Sequence, residues 1–135
     1  MKADMGEKLF FGLSSLAVIV AVVAAFFLMG SPAEQRLKKF DARRVSDLQR
    51  TRQAVENYHR NKKELPKDMD TVAESWPQIA KKDPQTEKPY VYRIVDQHTY
   101  KLCAEFSSAS EGRVDIWSHP KGEHCFTFHT PHVKR

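Results

Sequence analysis

Glycine is sparse and scattered in this chain of 135 residues, with five at positions 6, 12, 30, 112 and 122. That spacing excludes a glycine-rich phosphate cradle, which gathers its glycines within one short loop. Cysteine is scarcer still, at positions 103 and 125 only, so a cysteine-rich zinc framework is excluded as well. The histidines do not make up the deficit. His119, His124, His129 and His132 lie near Cys125, yet their spacing matches no zinc pattern, and His124 and Cys125 as strand neighbours would point to opposite faces. No metal and no cofactor are expected. Ser107, Ser108 and Ser110 fall in a polar loop without the strained turn of a hydrolase nucleophile. Asp68 and Asp70 form a local pair suited to capping a short helix. Without a convergent set of titratable groups, the chain is expected not to be an enzyme.

Charge is absent from one long stretch. Residues 9–29 (LFFGLSSLAVIVAVVAAFFLM) contain no Asp, Glu, Lys or Arg. About 20 apolar residues span the hydrocarbon core of a bilayer, so this run predicts a transmembrane helix. It is too long for the usual core of a signal peptide, and Asp4 and Glu7 cancel the positive charge of Lys2 and Lys8 before it. Pro32 in the middle of Ser31-Pro32-Ala33 makes a poor cleavage site. The run therefore reads as an uncleaved anchor, and the roughly 100 residues after it suffice for one small domain.

The net charge of +5 is localised. Residues 1–33 and 65–135 each balance to zero, whereas 34–64 carry ten Lys/Arg against five Asp/Glu. In that segment Leu37, Phe40, Arg44, Leu48, Thr51, Val55 and Tyr58 recur at spacings of three and four, which predicts an amphipathic helix. Arg44 is the one charged member of its apolar face, and its stem is expected to lie along that face while the guanidinium reaches water. Arg36, Lys39, Arg43 and Arg50 line the opposite, basic face. A helix running through 9–63 would reach about 80 Å. The basic face suits anionic headgroups or a purely solvated role. Nucleic acid is the weaker fit, because no aromatic residues are interleaved with the cations to stack bases.

Leu65-Pro66 should end the helix. Residues 67–80 read as a short helix or turn broken by Pro77, and 83–89 as a turn-rich linker. The period then changes to two. Residues 90–95 and 99–106 are strand-like around a turn at 96–98, and a third strand is expected at 124–128, followed by a basic tail at 129–135. Trp76, Trp117, Tyr90, Tyr92, Tyr100, Phe106, Phe126 and Phe128 alternate so that about half would form a core between sheet and helix. No internal repeat is present. The expected fold is α+β. Its parts are a segment 1–33 holding the transmembrane helix, a helix over 34–64, a small domain over 65–128 with an antiparallel sheet, and the tail.

The motifs sharpen this. Glu56-Asn57-Tyr58-His59-Arg60-Asn61-Lys62-Lys63-Glu64-Leu65-Pro66 resembles the helix end of type II secretion pseudopilins, and Asp83-Pro84 through Pro89-Tyr90-Val91-Tyr92 resembles their entry into the sheet. The likeness to the type IV pilin and pseudopilin class covers about residues 44–106. It implies a long N-terminal helix packed on a small antiparallel sheet, and partners among pilin-like or secretion-system subunits. The chain departs from that class at its start. Glu7 follows Gly6, Phe11 stands where the class carries glutamate, and 9–29 contain no carboxylate.

Cys103 and Cys125 both sit in strand-like surroundings, and adjacent strands would bring them to bonding distance. Such a disulfide stabilises small exported domains, whereas two reduced buried thiols would suit a cytoplasmic one. Charge flanking the apolar run points the other way. Lys2 and Lys8 precede it, while Arg36, Lys38, Lys39, Arg43 and Arg44 follow it, which by the positive-inside rule would keep the domain cytoplasmic. The resemblance and the cysteine pair together favour a cytoplasmic N-terminus and an extracytoplasmic domain. The resulting expectation is a single-pass, non-catalytic, pseudopilin-like component of a secretion or pilus-like envelope system. The alternative is a membrane-tethered module that binds an envelope ligand or DNA.

Overall fold

A computed structural model describes residues 3–28, 31–112 and 114–130. The chain is α+β and divides into two compact units, 1–36 and 37–135. The first holds α1, Ala3–Leu28, whose 26 residues rise about 39 Å. Its large apolar side chains, Phe10, Leu16 and Phe27 among them, are exposed. By length and composition this helix suffices to cross a membrane. The charge-free run's last residue, Met29, lies outside the described residues, and the helix begins six residues before the run does.

A second helix, α2, spans Pro32–Lys62. Its start is legible locally. Ser31 is the N-cap, accepting from the Glu34 amide at 3.4 Å, and Pro32 occupies the first helical position, where no amide hydrogen is needed. At the other end Lys63 adopts a left-handed conformation (φ 63°) with its amide bonded to the His59 carbonyl, and Pro66 follows. The short α3, Met69–Ser75, is capped by Asp68, whose Oδ1 accepts from the Thr71 amide at 2.8 Å, as the paired aspartates predict.

Three strands, β1 (Val91–Ile94), β2 (Thr99–Phe106) and β3 (Gly122–His129), form an antiparallel sheet in that order. The turn between β1 and β2 is closed by Val95 and Asp96 amides on the Thr99 carbonyl, with the Asp96 carboxylate accepting from the His98 amide. Because side chains alternate along a strand, Tyr100, Leu102, Ala104 and Phe106 share one face of β2, joined by Phe126 and Phe128 of β3. This face packs with Leu48, Ala54 and Val55 of α2 and Val72 of α3 into a single core. Five of the eight aromatics named above, Tyr90, Tyr100, Phe106, Phe126 and Phe128, are buried, while Tyr92, Trp76 and Trp117 pack at the margin. Cys103 and Cys125 occupy the other face, directly opposite each other in register, and are joined in a disulfide.

Three sequence expectations are corrected. Arg44 does not reach water, being only 1% exposed, because three chain segments close over its guanidinium. The segment 83–89 is no loose linker. Asp83 is buried, a bridge joins Lys82 to Pro89, and Tyr90 bonds back to the Lys81 carbonyl. The third strand extends to His129, and Thr130 is buried with its amide on the His98 carbonyl, so order persists past the expected start of the tail. Residues 131–135 lie outside the described residues.

Candidate functional site

The Arg44 cluster organises the unit 37–135. Arg44 projects from the apolar stripe of α2 and donates to four side chains drawn from three segments. Nε and Nη2 bind the Asp83 carboxylate, Nη2 also binds Gln85 Oε1 at 2.8 Å, and Nη1 binds Asp41 Oδ1 at 2.7 Å and Ser107 Oγ at 2.9 Å. The carboxylates have further donors. Asp41 accepts from the Ser107 and Ser108 amides and from the Ser108 hydroxyl at 2.6 Å. Asp83 accepts from the Gln85 and Thr86 amides, each at 2.8 Å. Burial pushes both carboxyls up, but hydrogen bonds outweigh it. Ser108 and Ser107 with Arg44 lower Asp41, while Arg44, Thr86 and Gln85 lower Asp83. Burial likewise opposes the charge on Arg44, and its hydrogen bonds to Asp83 and Asp41 raise its pKa on balance.

The cluster thus pins the loop 83–90 and the end of β2 to α2. Nearby, the buried Asp47 accepts from the Tyr90 hydroxyl at 3.1 Å, and burial followed by the Asp47 charge pushes that phenol well above its ordinary range. The serines weighed as nucleophiles have structural partners. Ser107 and Ser108 satisfy Asp41 and Arg44, and Ser110 exchanges bonds with the His119 backbone.

The histidines weighed as ligands are dispersed among separate neighbours. His119 stacks on Phe106 with centroids 3.6 Å apart, His124 meets the Phe126 ring at 4.8 Å, and His129 Nδ1 lies 3.0 Å from Thr99 Oγ1. His132 lies outside the described residues. Among the described residues no group of three His, Cys, Asp or Glu side chains is placed to hold a metal ion.

A different histidine pair does meet. His59 of α2 and His98 of the β1–β2 turn stand edge to face, 5.9 Å between centroids, and Thr130 Oγ1 lies 3.4 Å from His59 Nε2. Sequence reasoning missed this pair because 39 residues separate the two. Burial lowers the His59 pKa, and the neighbouring His98 and Lys63 lower it further. Between that depressed value and the ordinary value of 6.5 the unfolded chain binds the extra proton. His59 therefore contributes stability in full above pH about 6.5 that is lost as pH falls below it. Thermal unfolding followed from pH 8 down to about 5 should show the wild-type midpoint falling, and His59→Gln should flatten that dependence. Parallel slopes in the two proteins would contradict the assignment.

The four cations assigned to the basic face lie on α2. Arg36, Lys39, Arg43 and Arg50 are all exposed, with Arg43 Nε 3.5 Å from Asp47 Oδ1. Lys38, between them, pairs with Glu111 at 2.9 Å. On the disulfide side of the sheet an open cleft of about 230 Å³ is lined by Thr86, Pro89, Val91, Cys103, Glu105 and Glu123. Glu105 and Glu123 are cross-strand partners, and Lys88 neutralises Glu105 at 2.6 Å. Comparison with family models, with curated proteins and with solved structures returns no match for this chain.

Proposed function

We propose that the chain is a single-pass membrane protein whose extracytoplasmic, pseudopilin-like domain serves as a non-catalytic structural component of a secretion or pilus-like envelope system. The observation that carries this reading is an apolar helix followed in the chain by an amphipathic one, whose apolar face packs on a small antiparallel sheet closed by the Cys103–Cys125 bond. Each part has a physical role in such a subunit. The apolar helix anchors by transfer of its side chains from water to hydrocarbon. The disulfide compensates for a small core and persists in an oxidising compartment. The likeness of residues 56–66 and 83–92 to pseudopilins supports a role in assembly.

The test is thiol blocking on intact cells, followed by mass spectrometry of the Cys103 and Cys125 peptides without reduction. The expected result is one linked peptide pair, with an oligomer recovered in mild detergent. Two alkylated thiols would instead put the domain in the cytoplasm and overturn the envelope role. A monomer with salt-dependent DNA retention would favour the second reading, a tethered binding module, which rests on the exposed basic face of α2.

A further inference from the structure

We infer that Arg36, Lys39 and Arg43 form a collar that binds anionic phospholipid headgroups where the chain leaves the membrane. The inference rests on the reading of α1 as a membrane span. If α1 is embedded, Leu28 lies at the edge of the hydrocarbon, since residues 9–28 rise about 30 Å, the thickness of that layer. Chain connectivity then limits how far the collar can stand from the headgroups. Three residues lead from Leu28 to Ser31, after which α2 advances about 1.5 Å per residue. Arg36 therefore lies within about 18 Å of Leu28 and Lys39 within about 23 Å, whatever angle the chain takes between the helices.

Side-chain direction shortens that reach. Helical Cα–Cβ bonds tilt toward the helix N-terminus, so these long cationic side chains lean back toward the start of α2. The headgroup layer and a Debye length of about 8 Å at physiological salt extend the field outward toward Arg36 and Lys39, while Arg43, within about 29 Å of Leu28, is the outermost of the three.

The charges are available. Arg36, Lys39 and Arg43 are exposed; of the acidic groups near them in sequence, Glu34 in the first turn of α2 is exposed as well and offsets part of the charge, while Asp41 and Asp47 are buried. Asp41 is held inward by Arg44, Ser107 and Ser108, and Lys38 is left out of the collar because it pairs with Glu111. Asp47, 3.5 Å from Arg43, offsets part of one charge. Nucleic acid is the poorer occupant. Phe40, which stands between Lys39 and Arg43 in the chain, is half-buried and so offers a base only part of its ring.

The full chain would be reconstituted into vesicles of phosphatidylcholine, alone or mixed with phosphatidylglycerol. Spin-labelled versions of the two lipids then report their relative association with the protein. Phosphatidylglycerol should be preferred at least five-fold, and the preference should vanish in R36Q/K39Q/R43Q or at about 0.5 M salt. R36Q/K39Q, which leaves the Arg43–Asp47 pair intact, should retain an intermediate preference, and R50Q should match wild type. Failure to insert even into neutral vesicles would overturn the membrane reading and this inference with it. Insertion with no lipid preference would overturn the inference alone. Loss of DNA retention in the triple variant, with lipid association unchanged, would also overturn it and assign the face to nucleic acid.

Discussion

Replacing Arg44 with methionine should destabilise the 37–135 unit by about 3–5 kcal/mol, read as a lowered urea midpoint at pH 7. Methionine fills much of the aliphatic volume, so the loss is chiefly electrostatic. It strands Asp41 and Asp83, both buried, without the cation that faces them. An uncompensated buried charge costs more than the intact pair contributes, which is why removing one partner is so damaging. The pH dependence separates this from a simple packing defect. In the wild type both carboxyls are held below the ordinary value of 3.8, so their stabilisation is present above that pH and is lost as pH falls through the depressed values. In Arg44→Met the same burial acts without the guanidinium and favours the protonated acids. The gap between variant and wild type should therefore narrow as pH falls toward 4. Adding D41N and D83N to the variant should recover part of the loss, since the two carboxylates that faced Arg44 are then uncharged. A loss below about 1 kcal/mol at pH 7 would mean that the cluster is solvated like an ordinary surface pair.

The disulfide carries the next largest expectation. Cys103 and Cys125 lie 22 residues apart in sequence, and closing a loop of that size constrains the unfolded chain by about 3 kcal/mol. Converting both to alanine should lower stability by about that amount, and reductant should lower wild type similarly while leaving the variant unmoved. The bond lies on the face of the sheet away from the helix core, so the variant should keep its secondary structure and its near-ultraviolet aromatic signal under conditions where it remains folded. For a domain of about 100 residues with about 5–10 kcal/mol in hand, either change is a large fraction of the total. A C103A/C125A domain as stable as wild type would show that the staple adds nothing the β2–β3 pairing does not already provide.

Much of the fold was legible because its causes are local. The ends of α2 follow from Ser31-Pro32 and Leu65-Pro66, the cap of α3 from Asp68, and the β1–β2 hairpin from the polar turn at 96–98 between two alternating runs. Alternation starts β3 at His124, two residues late, because Gly122 and Glu123 carry no strand signal and owe their conformation to pairing with Phe106 and Glu105. For the same reason 83–89 reads as a linker in sequence. Its prolines and polar residues are those of a turn, and only the Asp83–Arg44 contact, 39 residues apart, turns it into a packed element.

Arg44 and His59 mark where local reasoning ends. Arg44 sits on the stripe of α2 that periodicity assigns to the core, whereas His59 lies one residue past Tyr58, the member that periodicity names; both are buried. Whether a charge on such a stripe escapes to water or is enclosed depends on which groups cover it. Here the cover is Asp83, Gln85 and Ser107 for Arg44, and His98 with Thr130 for His59. The apolar helix, the amphipathic helix and the alternating strands arise from patterns a few residues wide. The buried ion cluster and the histidine pair arise only when distant segments meet, because desolvation and hydrogen bonding are set by neighbours in space rather than along the chain.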